Sequence, residues 1–179
     1  MEKNEIIELS LSEGFAKAEI IDTDKIVFNA TFRPYCEENI CGQYGANHSC
    51  PPDCGTPEQM EQKVLSHKRA LVLQSRWEIG DFSQTERIKE VREIHNSAMF
   101  RIIEKLKGEG HDGFMIGASG CTLCKPCKRS SGEPCAHPDK RYSCMSAYCI
   151  HVKRLADEAG MDYDYKDGIL PFFGMYIFD

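Results

Sequence analysis

The alternation of apolar and polar residues near the N-terminus predicts a helix followed by two strands. Apolar residues recur at helical spacing between Asn4, a candidate cap, and Gly14, a candidate end: Ile6, Ile7, Leu9 and Leu11. Residues 15–21 and 26–28 have the apolar character of strands, and the polar residues 22–24 between them favour a turn. We therefore expect a short β-hairpin after the first helix.

Two further segments in the first half of the chain have recognisable ends. Thr56 and Gln59 have the spacing of a capping box, and Pro57 suits the first turn of a helix, so a helix is expected to begin here. Residues 70–74 form a short apolar run that predicts a buried strand. Residues 33–57 are rich in proline, glycine and cysteine, and we expect them to form a long loop.

The longest predicted helix lies in the middle of the chain. Ser83 and Glu86 have capping-box spacing at its start, and Gly108 marks its end. Apolar residues follow at helical spacing: Ile88, Val91, Ala98, Ile102 and Leu106. His95 lies on the same stripe, where a histidine is more often a hydrogen-bonded core residue than a metal ligand.

The C-terminal part predicts a strand at 114–118, a helix from Tyr148 that Gly160 ends, and a closing hairpin formed by 163–165 and 172–178. Helices and strands alternate without a repeat. We therefore expect an α/β fold, with α+β as the alternative. It would be a single layered domain, 1–179, with helices packed on a central sheet. Cysteine-rich loops at about 33–57 and 119–144 would project from it.

Composition restricts the function. The chain has 179 residues, a net charge of −6 and a pI of about 5.6, which disfavours nucleic acid as a partner. It lacks both an apolar run of membrane-spanning length and the apolar segment of a signal peptide. We therefore expect a cytoplasmic protein. In that reducing setting its ten cysteines indicate metal binding more than disulfide bonds.

The second cysteine segment has the more specific pattern. Cys121, Cys124 and Cys127 form C-x2-C-x2-C, and Cys135 follows after a short gap. Three thiolates at this spacing can each bind one iron of a cubane cluster, and a more distant cysteine can bind the fourth. Zinc is the main alternative, but it is more often held by two separate C-x2-C pairs. We therefore favour a [4Fe–4S] cluster over zinc at these four residues.

The first segment holds four more candidate ligands, at a spacing that fits no single metal motif: Cys36, Cys41, Cys50 and Cys54. A second cluster and a zinc site are both compatible with it, so we expect one or two clusters in all. His48 is more simply explained as a solvated loop residue than as a ligand. Cys144 and Cys149 could be additional ligands, reactive thiols or buried small residues.

Both cysteine segments resemble the DUF2284 family, which is described as predicted metal-binding proteins. The first matches at Cys41, Tyr44-Gly45 and Cys50-Pro51-Pro52. The second matches in the cysteine triplet and in three following groups of residues: Pro134-Cys135, His137-Pro138 and Met145-Ser146-Ala147-Tyr148. The resemblance implies metal binding and no particular reaction. This chain has cysteine at 144 and 149, where the resemblance suggests serine and glycine, so the second site has four ligands or a choice among more.

These observations lead to three hypotheses. The first is an iron–sulfur protein that transfers electrons or assists another enzyme, because the chain lacks nucleotide-binding and nucleophile motifs and would need a redox partner protein. A basic collar could dock that partner: Lys125, Lys128, Arg129, Lys140 and Arg141. The second is an enzyme whose cluster has an open iron site. The third is a zinc-stabilised interaction module. Whether the protein is an enzyme, and its oligomeric state, stay open.

Overall fold

The protein is built on one five-stranded mixed sheet, seen in a computed structural model that describes all 179 residues. The strands are β1 (Lys17–Asp22), β2 (Arg69–Glu78), β3 (Gly113–Gly117), β4 (Ser143–Cys144) and β5 (Ile169–Phe178). Their order in the sheet is β1-β2-β5-β3-β4. Only the β3–β4 pair is parallel. The fold is therefore α+β, the alternative expected from the sequence.

Helices cover both faces of the sheet. They are α1 (Lys3–Ser12), α2 (Arg33–Glu37), α3 (Pro57–Leu65), α4 (Thr85–Gly108) and α5 (Val152–Glu158). Ile6 of α1 and Leu106 of α4 belong to the apolar core on one face, whereas Val64 of α3 and Leu155 of α5 belong to the core on the other. None of the helices combines the length and apolar character that crossing a membrane requires.

The last strand lies in the middle of the sheet, so the predicted C-terminal hairpin is wrong. β5 pairs with β2 on one side and β3 on the other, and residues 171–178 are buried throughout. Residues 163–165 form no strand. The unbroken apolar run is typical of a strand covered on both faces, where side chains need not alternate with polar ones.

The predicted N-terminal hairpin is also wrong. β1 pairs with β2, and residues 23–25 form a short 3₁₀ turn in place of a hairpin turn. The Thr23 backbone N–H donates to the Lys68 carbonyl at 3.0 Å, which ties this turn to the entry into β2. Phe28 forms only an isolated bridge with Ile150. The turn therefore directs the chain away from β1 and toward the cysteine segment.

Helix starts agree with the sequence in part. The capping box of α3 is confirmed, with reciprocal bonds of 3.2 and 2.9 Å between Thr56 and Gln59. The capping box expected at Ser83 is wrong, because the Ser83 hydroxyl bonds to the Asp81 carboxylate and α4 begins at Thr85 without a side-chain cap. Glu2, and not Asn4, caps α1, and α5 begins at Val152, later than expected.

His95 has the structural role that its position on α4 predicts. Its side chain is 1% exposed, and its Nδ1 lies 2.6 Å from the Ser75 hydroxyl of β2. Burial lowers the pKa of His95 to about 3, so the imidazole is neutral in the folded protein. A Cβ added to Gly174 of β5 would lie 2.8 Å from His95 Nε2, which explains why glycine stands there.

Candidate metal centre

Four cysteines of the second segment line a single surface concavity. They are Cys121, Cys124, Cys127 and Cys135, and all four are partly exposed. We call these four residues the outer group. The rest of the lining contains no carboxylate: Asn47, His48, Leu123, Lys128, Ala136, His137 and Arg141. The structure thus brings together the four residues that the sequence assigns to a cluster.

Backbone amides surround the sulfur of Cys121. Burial raises the pKa of the Cys121 thiol, and hydrogen bonds from the backbone N–H groups of Leu123 and Tyr142 oppose that rise. Amide donors of this kind stabilise a thiolate and tune the potential of an iron–sulfur centre. The outer group therefore already contains part of the surroundings that a metal-bound thiolate needs.

A second group of cysteines combines the four of the first segment with Cys144. Burial raises the pKa of Cys36 to about 11, and the nearby Cys144 adds to that shift. Burial likewise raises the pKa of Cys50 to about 12, and thiolate charge on Cys144, Cys41 or Cys54 raises it further. These five residues, Cys36, Cys41, Cys50, Cys54 and Cys144, therefore lie within electrostatic range of one another. We call them the inner group.

The structure places Cys144, which the sequence left unassigned, in the inner group. It stands at the end of β4, beside Gly117 of β3. Burial raises its pKa, and the backbone N–H groups of Ala147 and Ser146 oppose the rise. It interacts electrostatically with thiols of the first segment although it follows the second in sequence. The first-segment set expected from the sequence thus gains a fifth thiol.

Cys149 lies at the margin of the inner group. It is 1% exposed, and burial raises its pKa while the Arg33 guanidinium, which also bonds to it, lowers that pKa. Thiolate charge on Cys149 would raise the pKa of both Cys36 and Cys54. Its hydrogen bond from Arg33, which neither Cys36 nor Cys54 receives, distinguishes Cys149 from the inner group.

Arg33 connects the parts of the chain that carry the inner group. Its guanidinium donates to the Gly55 carbonyl at 2.8 Å and to the Ala147 carbonyl at 2.9 Å. Its charge opposes the burial that raises the pKa of both Cys36 and Cys54. Sequence reasoning missed this residue, although an arginine directly before Pro34 at the start of a cysteine segment was the available signal.

The two cysteine segments contact each other directly. The Asn47 side-chain amide donates to the Cys121 carbonyl at 2.9 Å, and the Cys121 backbone N–H donates to the Ser49 hydroxyl at 3.1 Å. Asn47 and Ser49 are both buried. A Cβ added to Gly120 would lie 3.2 Å from the Cys50 sulfur. The outer and inner groups therefore adjoin, and Asn47 and Ser49 form the polar link between them.

Helix α4 anchors the start of the second segment. The Ala118 backbone N–H donates to Asn96 Oδ1 at 2.9 Å, and Asn96 Nδ2 donates to the Tyr142 hydroxyl at 3.3 Å. The same hydroxyl accepts the Thr122 N–H at 3.2 Å. Sequence reasoning missed Asn96, although a polar residue next to His95 on an apolar helix stripe was a visible signal.

Three of the five basic residues near the outer group pair with carboxylates of the same chain. Lys125 pairs with Glu93, Lys128 with Glu133 at 3.3 Å, and Arg129 with Asp53 at 2.7 Å. The last pair also joins the two cysteine segments. Lys140 and Arg141 have no carboxylate partner. Most of the collar is thus paired with carboxylates of the same chain.

The donors available to a metal are thiols. All ten cysteines are free, with no disulfide among them. Thiolates are the soft ligands that iron–sulfur clusters and zinc prefer, so the residues present fit either group. No three histidine, cysteine, aspartate or glutamate side chains lie close enough together to hold a single ion. A zinc ion at about 2.3 Å from each sulfur would need these thiols to move closer together.

Comparison with known proteins agrees with this chemistry. Neither the curated proteins nor the solved structures include a match to the chain. A family model described as a predicted metal-binding protein, DUF2284, matches residues 19–178. That range includes all ten cysteines and every strand except the first two residues of β1. The chain therefore belongs to the DUF2284 family of predicted metal-binding proteins.

Proposed function

We propose that this protein is an iron–sulfur protein that transfers electrons, or assists another enzyme as a redox accessory. The observation that carries the proposal is the outer group. Its four thiols, three of them at cluster spacing, line one concavity that no carboxylate shares. Four sulfur donors without a hard oxygen ligand favour a soft metal centre.

The outer group would hold one [4Fe–4S] cluster through Cys121, Cys124, Cys127 and Cys135, and four of the five inner thiols would hold a second. A cluster of this type supplies one-electron transfer. The chain itself supplies amide hydrogen bonds to Cys121 and Cys144, and the Arg33 charge beside the inner group. These groups stabilise thiolate charge in a partly dehydrated site.

The position of the two groups suits transfer between them. Exposure varies within the inner group, where Cys50 is buried and Cys41 is exposed, whereas all four outer thiols are partly exposed and line one concavity. The Asn47–Cys121 and Cys121–Ser49 hydrogen bonds hold them side by side. A redox partner protein would approach the outer group, because all four of its thiols line that concavity. There Arg141 lines the concavity, has no carboxylate partner and would favour an acidic surface; nucleic acid and membrane are not expected partners.

The proposal includes a reducing cytoplasmic setting, because both groups must keep their thiols reduced to bind metal. A second candidate function is an enzyme whose inner centre acts on a small molecule. The specific observation in its favour is a cavity of about 240 Å³ that Cys54 lines. A zinc-stabilised interaction module would use the same thiols without redox chemistry.

The test is anaerobic purification followed by measurement of iron, zinc and acid-labile sulfide. We expect a brown protein with broad visible absorption and about eight iron and eight sulfide per chain if both groups are filled. About four of each would indicate a single cluster. A colourless protein with stoichiometric zinc and no sulfide, even after anaerobic reconstitution, would contradict the proposal and support the zinc module.

A further inference from the structure

A cavity of about 240 Å³ lies where the two cysteine groups meet. Cys54 of the inner group lines it, and His48 and Arg141 line both this cavity and the concavity of the outer group. Pockets for drug-sized ligands are larger, about 300–1,000 Å³. The cavity is smaller than such pockets, so its ligand would be smaller than a drug-sized molecule. It lies directly beside Cys54, a predicted metal ligand.

Two cations face this cavity without a carboxylate to neutralise them. Lys63 of α3 and Arg141 line it, and neither forms a salt bridge. No aspartate or glutamate is among the ten lining residues. The Lys63 ammonium lies 4.2 Å from the centre of the Phe114 ring, a contact that positions the charge without cancelling it.

The charges of Lys63 and Arg141 act on each other. Burial lowers the pKa of Lys63, and the positive charge of Arg141 lowers it further. Two like charges held near each other at a partly dehydrated surface cost free energy unless an anion lies between them. Most other exposed cations near the cysteine segments have an acidic partner, so this pair differs from its surroundings.

Neutral hydrogen-bond donors complete the cavity wall. Tyr148 and Ser143 line it, are 3% and 9% exposed, and have side-chain hydroxyls with no partner in the protein. The Gln59 side-chain oxygen accepts from Thr56 in the α3 capping box, which leaves the amide nitrogen without a partner. The Tyr142 hydroxyl is already bonded to Asn96 and Thr122. The unpaired groups are therefore all able to donate.

We infer that this cavity binds a small molecule through an oxyanion, a carboxylate or a phosphate, held by Lys63 and Arg141. Two cations, two hydroxyls and an amide nitrogen match the several acceptor oxygens of such a group. A metal cation is disfavoured by the same charges. The inference adds a ligand class to the proposed function and depends on the cavity, not on which metal the cysteines hold.

The test is isothermal titration calorimetry of the anaerobically purified protein with inorganic phosphate and, separately, with succinate. We expect saturable binding of at least one anion at one site, with no heat from the neutral succinamide. Binding of phosphate alone assigns a phosphate ligand, and binding of succinate alone assigns a carboxylate. Absence of saturable binding by both would overturn the inference.

Four charge-removing variants locate the site. Lys63→Gln and Arg141→Gln should each weaken binding at least about tenfold, the loss expected for one charged hydrogen bond. Lys68→Gln is the control for Lys63→Gln, and Lys140→Gln is the control for Arg141→Gln. Each control removes a charge close in sequence to its test residue but outside the cavity lining. They should leave the affinity within about twofold. Equal affinity in all four variants would show that the anion binds elsewhere and would overturn the inference.

Tyr148→Phe tests the site without removing a charge, so it remains informative if Lys63→Gln or Arg141→Gln fails to fold. Tyr148→Phe removes one hydroxyl from the wall and should weaken binding several-fold while the ring keeps its packing. Metal content measured in the same samples separates the two proposals. Anion binding to a zinc-loaded protein would support this inference and contradict the iron–sulfur proposal. An iron-loaded protein that binds neither anion would do the reverse.

Discussion

The outer and inner cysteine groups are assembled in different ways. The outer group comes from one continuous segment, Cys121 to Cys135, and its thiols remain partly exposed around a concavity. The inner group combines three parts of the fold: Cys36 from α2, Cys41 to Cys54 from the following loop, and Cys144 from β4. A site made within one segment needs only a short loop to close, whereas the inner group exists only once the sheet has formed.

The surroundings of the two groups differ as well. Cys54 and Cys144 pack against the apolar core that contains α3 and α5, whereas Cys121 and Leu123 pack against the core on the opposite face. Burial raises the pKa of Cys36, Cys50 and Cys54 to about 11–12. Metal binding must displace the protons of these thiols. Cys36, Cys50 and Cys54 therefore favour the neutral, protonated thiol.

The largest effect is expected from removing an outer ligand. Cys124→Ala takes the middle thiol from the triplet, which its neighbours cannot replace without moving the segment, so about half of the metal should be lost. Cys149→Ala is the matched control and should lose much less. Metal and sulfide analysis of both variants is the measurement. Equal metal loss in the two variants would contradict the assignment of Cys124, and not Cys149, to the outer centre.

Cys144 is the thiol that separates the inner centre from the outer one. Cys144→Ser should alter the spectrum of the inner centre and leave that of the outer centre intact, because the electrostatic neighbours of Cys144 are first-segment thiols. Cys149→Ser is the control. Electron paramagnetic resonance of the reduced proteins reads the two centres separately. Loss of the outer signal, with the inner signal intact, would show that Cys144 belongs to the outer group and not to the inner one.

Acid should destabilise the core around His95. His95 has a folded pKa of about 3, below its ordinary value of 6.5, so its contribution to stability is present above pH 6.5 and is lost as the pH falls. The His95 contribution to the free energy of unfolding should fall by up to about 1.4 kcal/mol per pH unit between pH 6.5 and its folded pKa. Urea unfolding of His95→Gln should show a shallower pH dependence, whereas Ser75→Ala, which keeps the imidazole, should retain it. Identical slopes in His95→Gln and the unaltered protein would rule out this residue as the cause.

The smallest effect concerns the link between the groups. Asn47→Ala removes the bond to the Cys121 carbonyl and leaves buried polar groups of Ser49 unpaired, which should lower the free energy of unfolding by about 1–3 kcal/mol. Gln43→Ala removes only an exposed partner of the same amide and should change it by less than about 0.5 kcal/mol. Chemical unfolding measures both. Similar values would show that Asn47 does not connect the segments.

The sequence predicted what local spacing determines. The α3 capping box, the apolar stripe of α4 and the core role of His95 are confirmed, and the outer thiols share one concavity. In each case the relevant residues lie within a few turns of chain. Family membership followed from motifs of the same local kind, and the match over residues 19–178 bears it out.

The sequence did not predict what depends on distant pairing. β4 has only two residues, too few for any periodic signal, so nothing indicated that Cys144 would join the inner group. The apolar run of β5 resembled half of a hairpin because a strand buried on both faces lacks alternation. Arg33, Asn47 and Lys63 act through contacts with residues far along the chain, which local patterns do not encode.

The central claim is that the two groups hold separate metal centres. The direct test removes Cys50 and Cys54 together and measures the metal content and visible spectrum of the remaining protein, with circular dichroism to establish that it is folded. We predict that about half of the iron survives with the spectrum of the outer centre intact, since the outer group contributes all four of its own thiols. Complete loss of iron from a folded protein would contradict this account and indicate one site shared by both segments.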